Sequence, residues 1–297
     1  MKIVGQGVWG KAMYSLLAQN GVETSFSSRG EQISDCDVVV LCVPTQAIRE
    51  CLALIADPAA VTIINTAKGI EKDTHMLPYQ IVASVGSQIK YYSLMGPSFA
   101  QEVIDRTPTF VNLGYLPGSD IGASASSVDP KEEIRNLFKT DFFHVRLNEG
   151  VKALEINGAF KNIYAIGCGL IAGLGYGYNT RAMFVAMAVK EMDSLFSGFS
   201  LHLDRSGQVG TIGDLIMTCS SEESRNFKFG TMLPTHKVEE SLKALHTVEG
   251  YSSIASLSYF ETQAAQQLPL ARFIQKIITE DNPANVKANF EAFFKSL

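Results

Sequence analysis

The sequence is poor in the residues that hold metals and disulfides. Its 297 residues include five cysteines, at 36, 42, 51, 168 and 219, and no two of them form a C-x-x-C pair. Cys42 and Cys168 sit in apolar runs and read as small core residues, as expected in a reducing compartment. The five histidines, His75, His144, His202, His236 and His246, show neither metal-ligand spacing nor H-E-x-x-H, so no metal is expected. No apolar run is long and unbroken enough to span a bilayer. Met1 leads straight into strand-like residues, so no secretory leader and a cytoplasmic place are expected. The net charge is -5, with both signs interspersed. That balance excludes a basic nucleic-acid surface and a like-charged disordered tail. No repeat of fixed period is present. The partners left to expect are a small molecule and, at most, a second copy of the chain.

What the sequence does have begins at its first residues. Ile3-Val4-Gly5-Gln6-Gly7-Val8-Trp9-Gly10 is an apolar strand, a glycine-rich turn and the opening of a helix. Gly5 allows the tight turn, Gly7 lets backbone approach a pyrophosphate, and Gly10 lets helix and strand pack closely. The helix start offers N–H groups and a positive dipole end to phosphates. The same residues can also make an ordinary strand–helix turn. About 20 residues on, where an NAD site places Asp or Glu on the ribose 2′-hydroxyl, stands Ser27-Ser28-Arg29. Two hydroxyls and a guanidinium suit a 2′-phosphate, so NADPH is favoured here over NADH.

The first half alternates strand and helix. Strands are expected near 2–5, 23–27, 38–43, 61–66, 91–95, 109–113 and 142–145. Helices are expected near 9–20, 45–56, 76–85 and 130–139. Val38–Val43 is continuously apolar, as in a parallel strand buried on both faces. Residues 118–128 are rich in Gly, Ser and Ala and read as a surface loop. The alternation predicts an α/β, Rossmann-type doubly wound parallel sheet over residues 1–146. After Arg146 helical periods dominate: 148–173, 180–200, 208–218, 223–233, 237–246, 251–266 and 269–278. Residues 147–297 are therefore expected to form a mostly α-helical domain, with the substrate in a cleft between the halves. The glycines of 167–177 suit close helix–helix approach followed by a loop.

Lys161 stands out among the polar residues. At helical spacing it shares a face with Leu154, Asn157, Gly158, Ala165 and Cys168, which is a packed face. A lysine there needs a partner or a lowered pKa, and a desolvated lysine can serve as a general base. The alternative is a lysine snorkelling at a domain edge. Asp214 and Thr218 lie one helical turn apart. Ser224-Arg225-Asn226 opens a helix with a hydroxyl, a guanidinium and an amide, a set suited to a phosphate monoester, although Ser224 also reads as a plain N-cap. Lys68, Gly96 and Ser98 follow strands at the carboxyl edge, where open sheets bind ligands.

Taken together, these motifs resemble the bacterial-type NAD(P)-dependent glycerol-3-phosphate dehydrogenase family over almost the whole chain. The resemblance rests on Gly5–Gly10, Ala67-Lys68-Gly69-Ile70-Glu71, Gly96-Pro97-Ser98-Phe99-Ala100-Gln101-Glu102, Gly158-Ala159-Phe160-Lys161-Asn162, Gly213-Asp214-Leu215 with Thr218-Cys219, Ser224-Arg225-Asn226 and Val248-Glu249-Gly250-Tyr251. It implies interconversion of sn-glycerol 3-phosphate and dihydroxyacetone phosphate with NADP or NAD, with Lys161 as the proton acceptor. It implies substrate contacts from Lys68, Gly96, Ser98, Asp214, Ser224, Arg225 and Asn226. For the cofactor it implies Val8, Trp9, Arg29, Lys68, Ala100, Arg225, Thr247 and Glu249, beside Gly5, Gly7 and Gly10. The chain differs from the family in two places. Few residues separate Arg29 from Asp37, and Val8 stands where a serine is common. A related β-hydroxyacid dehydrogenase and a non-catalytic NADPH-binding sensor are the alternatives.

Overall fold

Seven strands form a single sheet in the order β2-β1-β3-β4-β5-β6-β7. They are β1 (Lys2–Val4), β2 (Ser25–Ser27), β3 (Val38–Leu41), β4 (Thr62–Asn65), β5 (Lys90–Met95), β6 (Thr109–Tyr115) and β7 (Phe143–Asn148). The computed structural model describes residues 1–86, 89–116 and 129–297, so the loop expected over 118–128 lies outside the described residues. The chain divides into two compact units. A sheet unit holds Met1–Lys68, Met76–Ile156 and Leu203–Thr211, and a helical unit holds Gly69–His75, Asn157–His202 and Ile212–Leu297.

The first five strands are mutually parallel. Alternate residues of each strand serve opposite faces, and both faces are covered. Ile3, Val40, Ile64, Tyr92 and Leu94 pack with Ala12, Met13, Leu16 and Leu17 of α1 (Val8–Gln19) and with Phe138 of α5 (Pro130–Phe138). Val4, Val39, Leu41 and Ile63 pack with Ile48 and Leu52 of α2 (Ile48–Ala53) and with Ile81 and Val82 of α3 (Pro78–Val85). This is the doubly wound arrangement that the continuous apolar strands imply. Helix α1 stops as expected. Gly21 takes φ +69°, and the Gly21 and Val22 N–H groups donate back to Ala18 and Leu17.

The sheet is not parallel throughout. Strand β6 runs antiparallel to β5, and β7 runs parallel to β6. The connection from β5 to β6 carries only α4 (Ala100–Ile104), a five-residue helix that the sequence periods did not announce. It rises about 7 Å, against about 20 Å for β5, too little to return the chain to the far end of the sheet. Strand β6 therefore starts from the edge where β5 ended. The β2–β3 crossover is also short. Residues 28–37 contain no helix, and Ile33 pairs in parallel with Ile55.

The helical unit takes most of α6 (Val151–Gly173), then α7 (Tyr178–Gly198), the greater part of α8 (Arg205–Ser220), α9 (Arg225–Met232), α10 (Val238–Leu245), α11 (Glu249–Ser253), α12 (Leu257–Ala264), α13 (Pro269–Glu280) and α14 (Pro283–Lys295). The helix expected over 251–266 is broken into α11, a 3-10 turn at Ile254–Ser256 and α12. Helix α14 was not expected. Helices α6 and α9 meet through glycine. A Cβ on Gly169 would lie 2.0 Å from the Phe227 carbonyl oxygen, and one on Gly230 would lie 2.0 Å from that of Ile166.

Candidate functional site

In the sheet unit the expected residues collect along the carboxyl ends of the strands. Strand β1 is flanked by β2 and β3, whose connections leave in opposite directions, so its end is a topological switch point. Gly5 turns there with φ +107°, and a Cβ on it would lie 2.4 Å from the Cys42 carbonyl oxygen. A Cβ on Gly10 would lie 1.9 Å from the Gly5 carbonyl oxygen. The loop thus lies in close backbone contact with the end of β3 and with the start of α1. Gly7 is the N-cap of α1 and offers no side chain, and a Cβ on it would enter open space. The N–H groups of Val8, Trp9 and Gly10 have no carbonyl within the helix to bond. Val8 is 65% exposed, and the half-buried Trp9 carries a buried Nε1 with no hydrogen-bond partner among the described residues. Open backbone donors, room above Gly7 and this orphaned donor fit a pyrophosphate.

Lys68, Gly96 and Ser98 are brought together two strands away. The Asn65 carboxamide folds over the chain, accepting from the Ala67 N–H at 2.9 Å and donating to its carbonyl at 3.1 Å. The Thr66 hydroxyl donates to the Leu41 carbonyl at 2.7 Å. This turn delivers the Lys68 ammonium to the Gly96 carbonyl at 2.8 Å, and the Ser98 hydroxyl donates to the same oxygen at 3.2 Å. Gly96 takes φ +156°, and a Cβ on it would lie 2.8 Å from both the Phe110 carbonyl oxygen and the Val111 Cα. Ala100 is the first residue of α4.

At the end of β2, Ser27 is buried while Ser28 and Arg29 are exposed. Beyond Arg29, the structure adds Glu31. Its carboxylate accepts from the Ser28 N–H at 3.0 Å, and that bond holds its pKa below the usual value. The signal missed was an acid directly after a glycine turn.

The helical unit centres on α6, whose residues 157–171 are all buried. Lys161 is 4% exposed, so it does not snorkel. Its ammonium donates to the Asp214 carboxylate and, at 2.8 Å, to the Thr218 hydroxyl. Asp214 and Thr218 share a face of α8, as their spacing predicted, and the Thr218 hydroxyl donates on to the Asp214 carbonyl at 2.6 Å. A buried ammonium is thereby held by one carboxylate and one hydroxyl, both themselves buried.

The Ser-Arg-Asn cluster divides three ways. The Ser224 hydroxyl accepts from the Phe227 N–H at 3.3 Å and is the N-cap of α9. Asn226 is buried, donating to Asn162 and accepting from the Gly250 N–H, both at 2.9 Å. Arg225 is exposed, with no ion pair among the described residues. The Asn226 bond ties Glu249-Gly250, at the start of α11, to α6 and α9, and Thr247 precedes it in the loop after α10. Residue spacing alone had given Glu249 and Ala100 no role, since neither carries a motif of its own.

Two polar networks complete the picture. Glu155, near the start of α6, lies in the sheet unit, where it accepts from the Tyr91 hydroxyl and from the Tyr79 N–H at 3.0 Å. Burial pushes its carboxyl up to about 7. In the helical unit, Glu191 accepts from the Tyr164 hydroxyl and the Leu270 N–H, and burial likewise pushes it up to about 7. No group of three or more His, Cys, Asp or Glu that could hold a metal occurs among the described residues. No helix among them is long and apolar enough to cross a membrane.

Comparison with known proteins agrees with this arrangement of parts. Residues 27–117 match the family model described as NAD-dependent glycerol-3-phosphate dehydrogenase N-terminus, and residues 150–288 match that of its C-terminus. A glycerol-3-phosphate dehydrogenase (NAD(P)+) of Halalkalibacterium halodurans is 30% identical, over 94% of this chain and 89% of its own. One of Staphylococcus epidermidis is 32% identical, over 84% of this chain and 74% of its own. The crystal structure of glycerol-3-phosphate dehydrogenase from Coxiella burnetii shares the fold, with a TM-score of 0.82 at 24% identity over 99% of this chain and 98% of that one. The chain belongs to the NAD(P)-dependent glycerol-3-phosphate dehydrogenase family.

Proposed function

We propose that this chain is an oxidoreductase that interconverts sn-glycerol 3-phosphate and dihydroxyacetone phosphate with NAD(P)(H), supplying glycerol 3-phosphate for phospholipid synthesis. The observation that carries the reading is the buried Lys161 ammonium held between Asp214 and Thr218 in a chain of this family.

Gly5, Gly7 and Gly10, with the N–H groups of Val8 and Trp9, hold the pyrophosphate, and Arg29 lies toward the adenosine ribose. Ala100, Thr247 and Glu249 take the cofactor contacts that the family resemblance implies. The expected division into a nucleotide-binding part, 1–146, and a catalytic part, 147–297, is kept as functional bounds, although residues 147–156 and 203–211 pack in the sheet unit and 69–75 in the helical unit. When bound, the nicotinamide supplies or takes the hydride. In the reducing direction, Lys161 gives a proton from Nζ to the carbonyl oxygen as C2 gains the hydride, and the neutral amine regains its proton from solvent. In the oxidising direction the same amine takes the hydroxyl proton. Asp214 compensates the ammonium in a site with little water, and Thr218 fixes its direction. Lys68, Gly96 and Ser98, together at the carboxyl edge of the sheet, take the substrate contacts that the family resemblance implies. Arg225 and the first turn of α9 take the phosphate dianion. Ser224 holds that turn in place, and Asn226 ties it to α6.

Arg225, unpaired among the described residues, favours a phosphorylated substrate over the plain acid of a β-hydroxyacid dehydrogenase. The intact Lys161 cluster favours an enzyme over a silent nucleotide sensor. A cytoplasmic place and a homodimer belong to the same proposal, and cell fractionation and light scattering read them. The direct test follows nicotinamide absorbance with purified protein, comparing dihydroxyacetone phosphate with unphosphorylated dihydroxyacetone. Oxidation of NADH or NADPH only with the phosphate ester is the expected result. Folded protein that binds nucleotide yet oxidises neither cofactor would overturn the assignment.

A further inference from the structure

We infer that Glu31 is a selectivity residue of the nucleotide site, one that disfavours a 2′-phosphate on the adenosine ribose and favours a free 2′-hydroxyl. The inference rests on reading Gly5–Gly10 as the dinucleotide loop and goes beyond it by naming what the adenosine end prefers.

Two observations and one rule of this sheet class carry it. The parallel register pairs Val4 with Ser27, which sets Ser28 level with Gly5 at the carboxyl edge. In this class of sheet, the end of β2 is where the adenosine ribose is read. The Ser28 N–H would be a ready donor for a phosphate oxygen, but it is already taken by the Glu31 carboxylate at 3.0 Å.

The backbone of this turn is also held in place. Gly30 turns with φ +78°, and the Glu31 N–H donates back to the Ser28 carbonyl at 3.2 Å, closing a reciprocal pair. Two residues later the chain is pinned again. The Ile33 N–H donates to Leu54 at 2.7 Å, and its carbonyl accepts from Ala56 at 3.0 Å. With only residues 28–37 between β2 and β3, the backbone that carries Glu31 stays at the carboxyl edge of the sheet.

The chemistry follows from charge. A 2′-phosphate brings roughly -1.5 to -2 charges and would meet the like charge of the Glu31 carboxylate at this turn. A ribose hydroxyl instead donates to that carboxylate, the contact an acid in this region of an NAD site makes. Arg29, on the same turn and exposed, pulls the other way. Selectivity at this site is the balance of Arg29 against Glu31, rather than the guanidinium alone.

The test is equilibrium binding of NADH and of NADPH to the full chain, read by nicotinamide fluorescence. It compares the wild type with Glu31→Gln, Glu31→Ala and Arg29→Ala, each at low and high salt. Gln can still accept from the Ser28 N–H, so the turn survives while the charge goes. Glu31→Gln should shift the NADPH:NADH affinity ratio toward NADPH by about tenfold. Glu31→Ala should shift it the same way, and Arg29→Ala should shift it the opposite way. Added salt should shrink each shift, because both charges are exposed. An unchanged ratio in both Glu31 variants would overturn the inference. Turnover is not needed for this readout. Binding of both nucleotides without reduction of dihydroxyacetone phosphate would defeat the proposed function and still let the ratio judge Glu31. Binding of neither would defeat both.

Discussion

The glycine loop of the sheet unit and the Lys161 cluster of the helical unit are built from different material. At the loop, the groups that face outward are backbone N–H groups, and what fixes them is the lack of Cβ atoms at Gly5 and Gly10. At the cluster, every working group is a side chain, and the Lys161 ammonium is held by two other side chains. The loop is open to solvent at Gly7 and Val8, whereas the cluster is nearly dry. A backbone site tolerates a changed side chain that points away, which is how Val8 can stand in place of a serine. A buried charged site tolerates almost nothing, since removing one partner strands the other in a medium that solvates it poorly.

The predictions probe that contrast in order of expected size. Asp214→Asn removes the carboxylate that compensates Lys161 while keeping its shape. It should cost about 3–5 kcal/mol of stability, read as a lowered denaturant midpoint. A loss well under 1 kcal/mol would mean that the pair is not dry and that the contrast is overstated.

Gly10→Ala adds one methyl group to the loop. Its Cβ would lie 1.9 Å from a carbonyl oxygen that cannot move without moving Gly5. A cost of about 3 kcal/mol is expected, with weaker nucleotide binding measured by fluorescence. Gly7→Ala is the control. Its Cβ meets open protein space, so folding should survive and nucleotide binding should drop.

Glu155 supplies a pH test. Its folded-state pKa, about 7, lies above the ordinary 4.5. Its contribution is therefore fully present below about pH 4.5 and is lost as the pH rises through 7. The change is on the order of 3 kcal/mol at most. Glu155→Gln should flatten the fall in stability between pH 5 and pH 8, measured by urea titration at each pH. An unchanged slope would mean that the Tyr91–Glu155 pair does not titrate as its burial implies.

The smallest effect is expected at Ser224. Ser224→Ala removes a single cap hydrogen bond and should cost about 1 kcal/mol. A much larger rise in KM for dihydroxyacetone phosphate than the stability loss explains would show that the hydroxyl also meets substrate.

Much of this was legible in the sequence because its causes are local. Strand–turn–helix at Gly5–Gly10, the buried run Val38–Leu41 and the Schellman stop at Gly21 each follow from a few adjacent residues. Lys161 and the Asp214–Thr218 pair followed from helical spacing, which sorts residues onto faces. Spacing could not say that the two faces meet. That fact depends on how α6 and α8 pack, and so on contacts between residues more than 50 positions apart in sequence. Direction in the sheet was hidden for the same reason. Thr109–Leu113 reads identically as a parallel or an antiparallel strand, and only the shortness of α4 decides. Glu31 was missed because its role depends on the turn at Gly30 folding it back over Ser28.

The most direct test of the account is a comparison of the wild type with Lys161→Ala, following nicotinamide absorbance with dihydroxyacetone phosphate and, separately, nucleotide binding. The account predicts that turnover falls by at least roughly a hundredfold to ten-thousandfold while nucleotide binding is retained. Turnover within a few-fold of wild type in the folded variant would contradict the claim that Lys161 carries the proton.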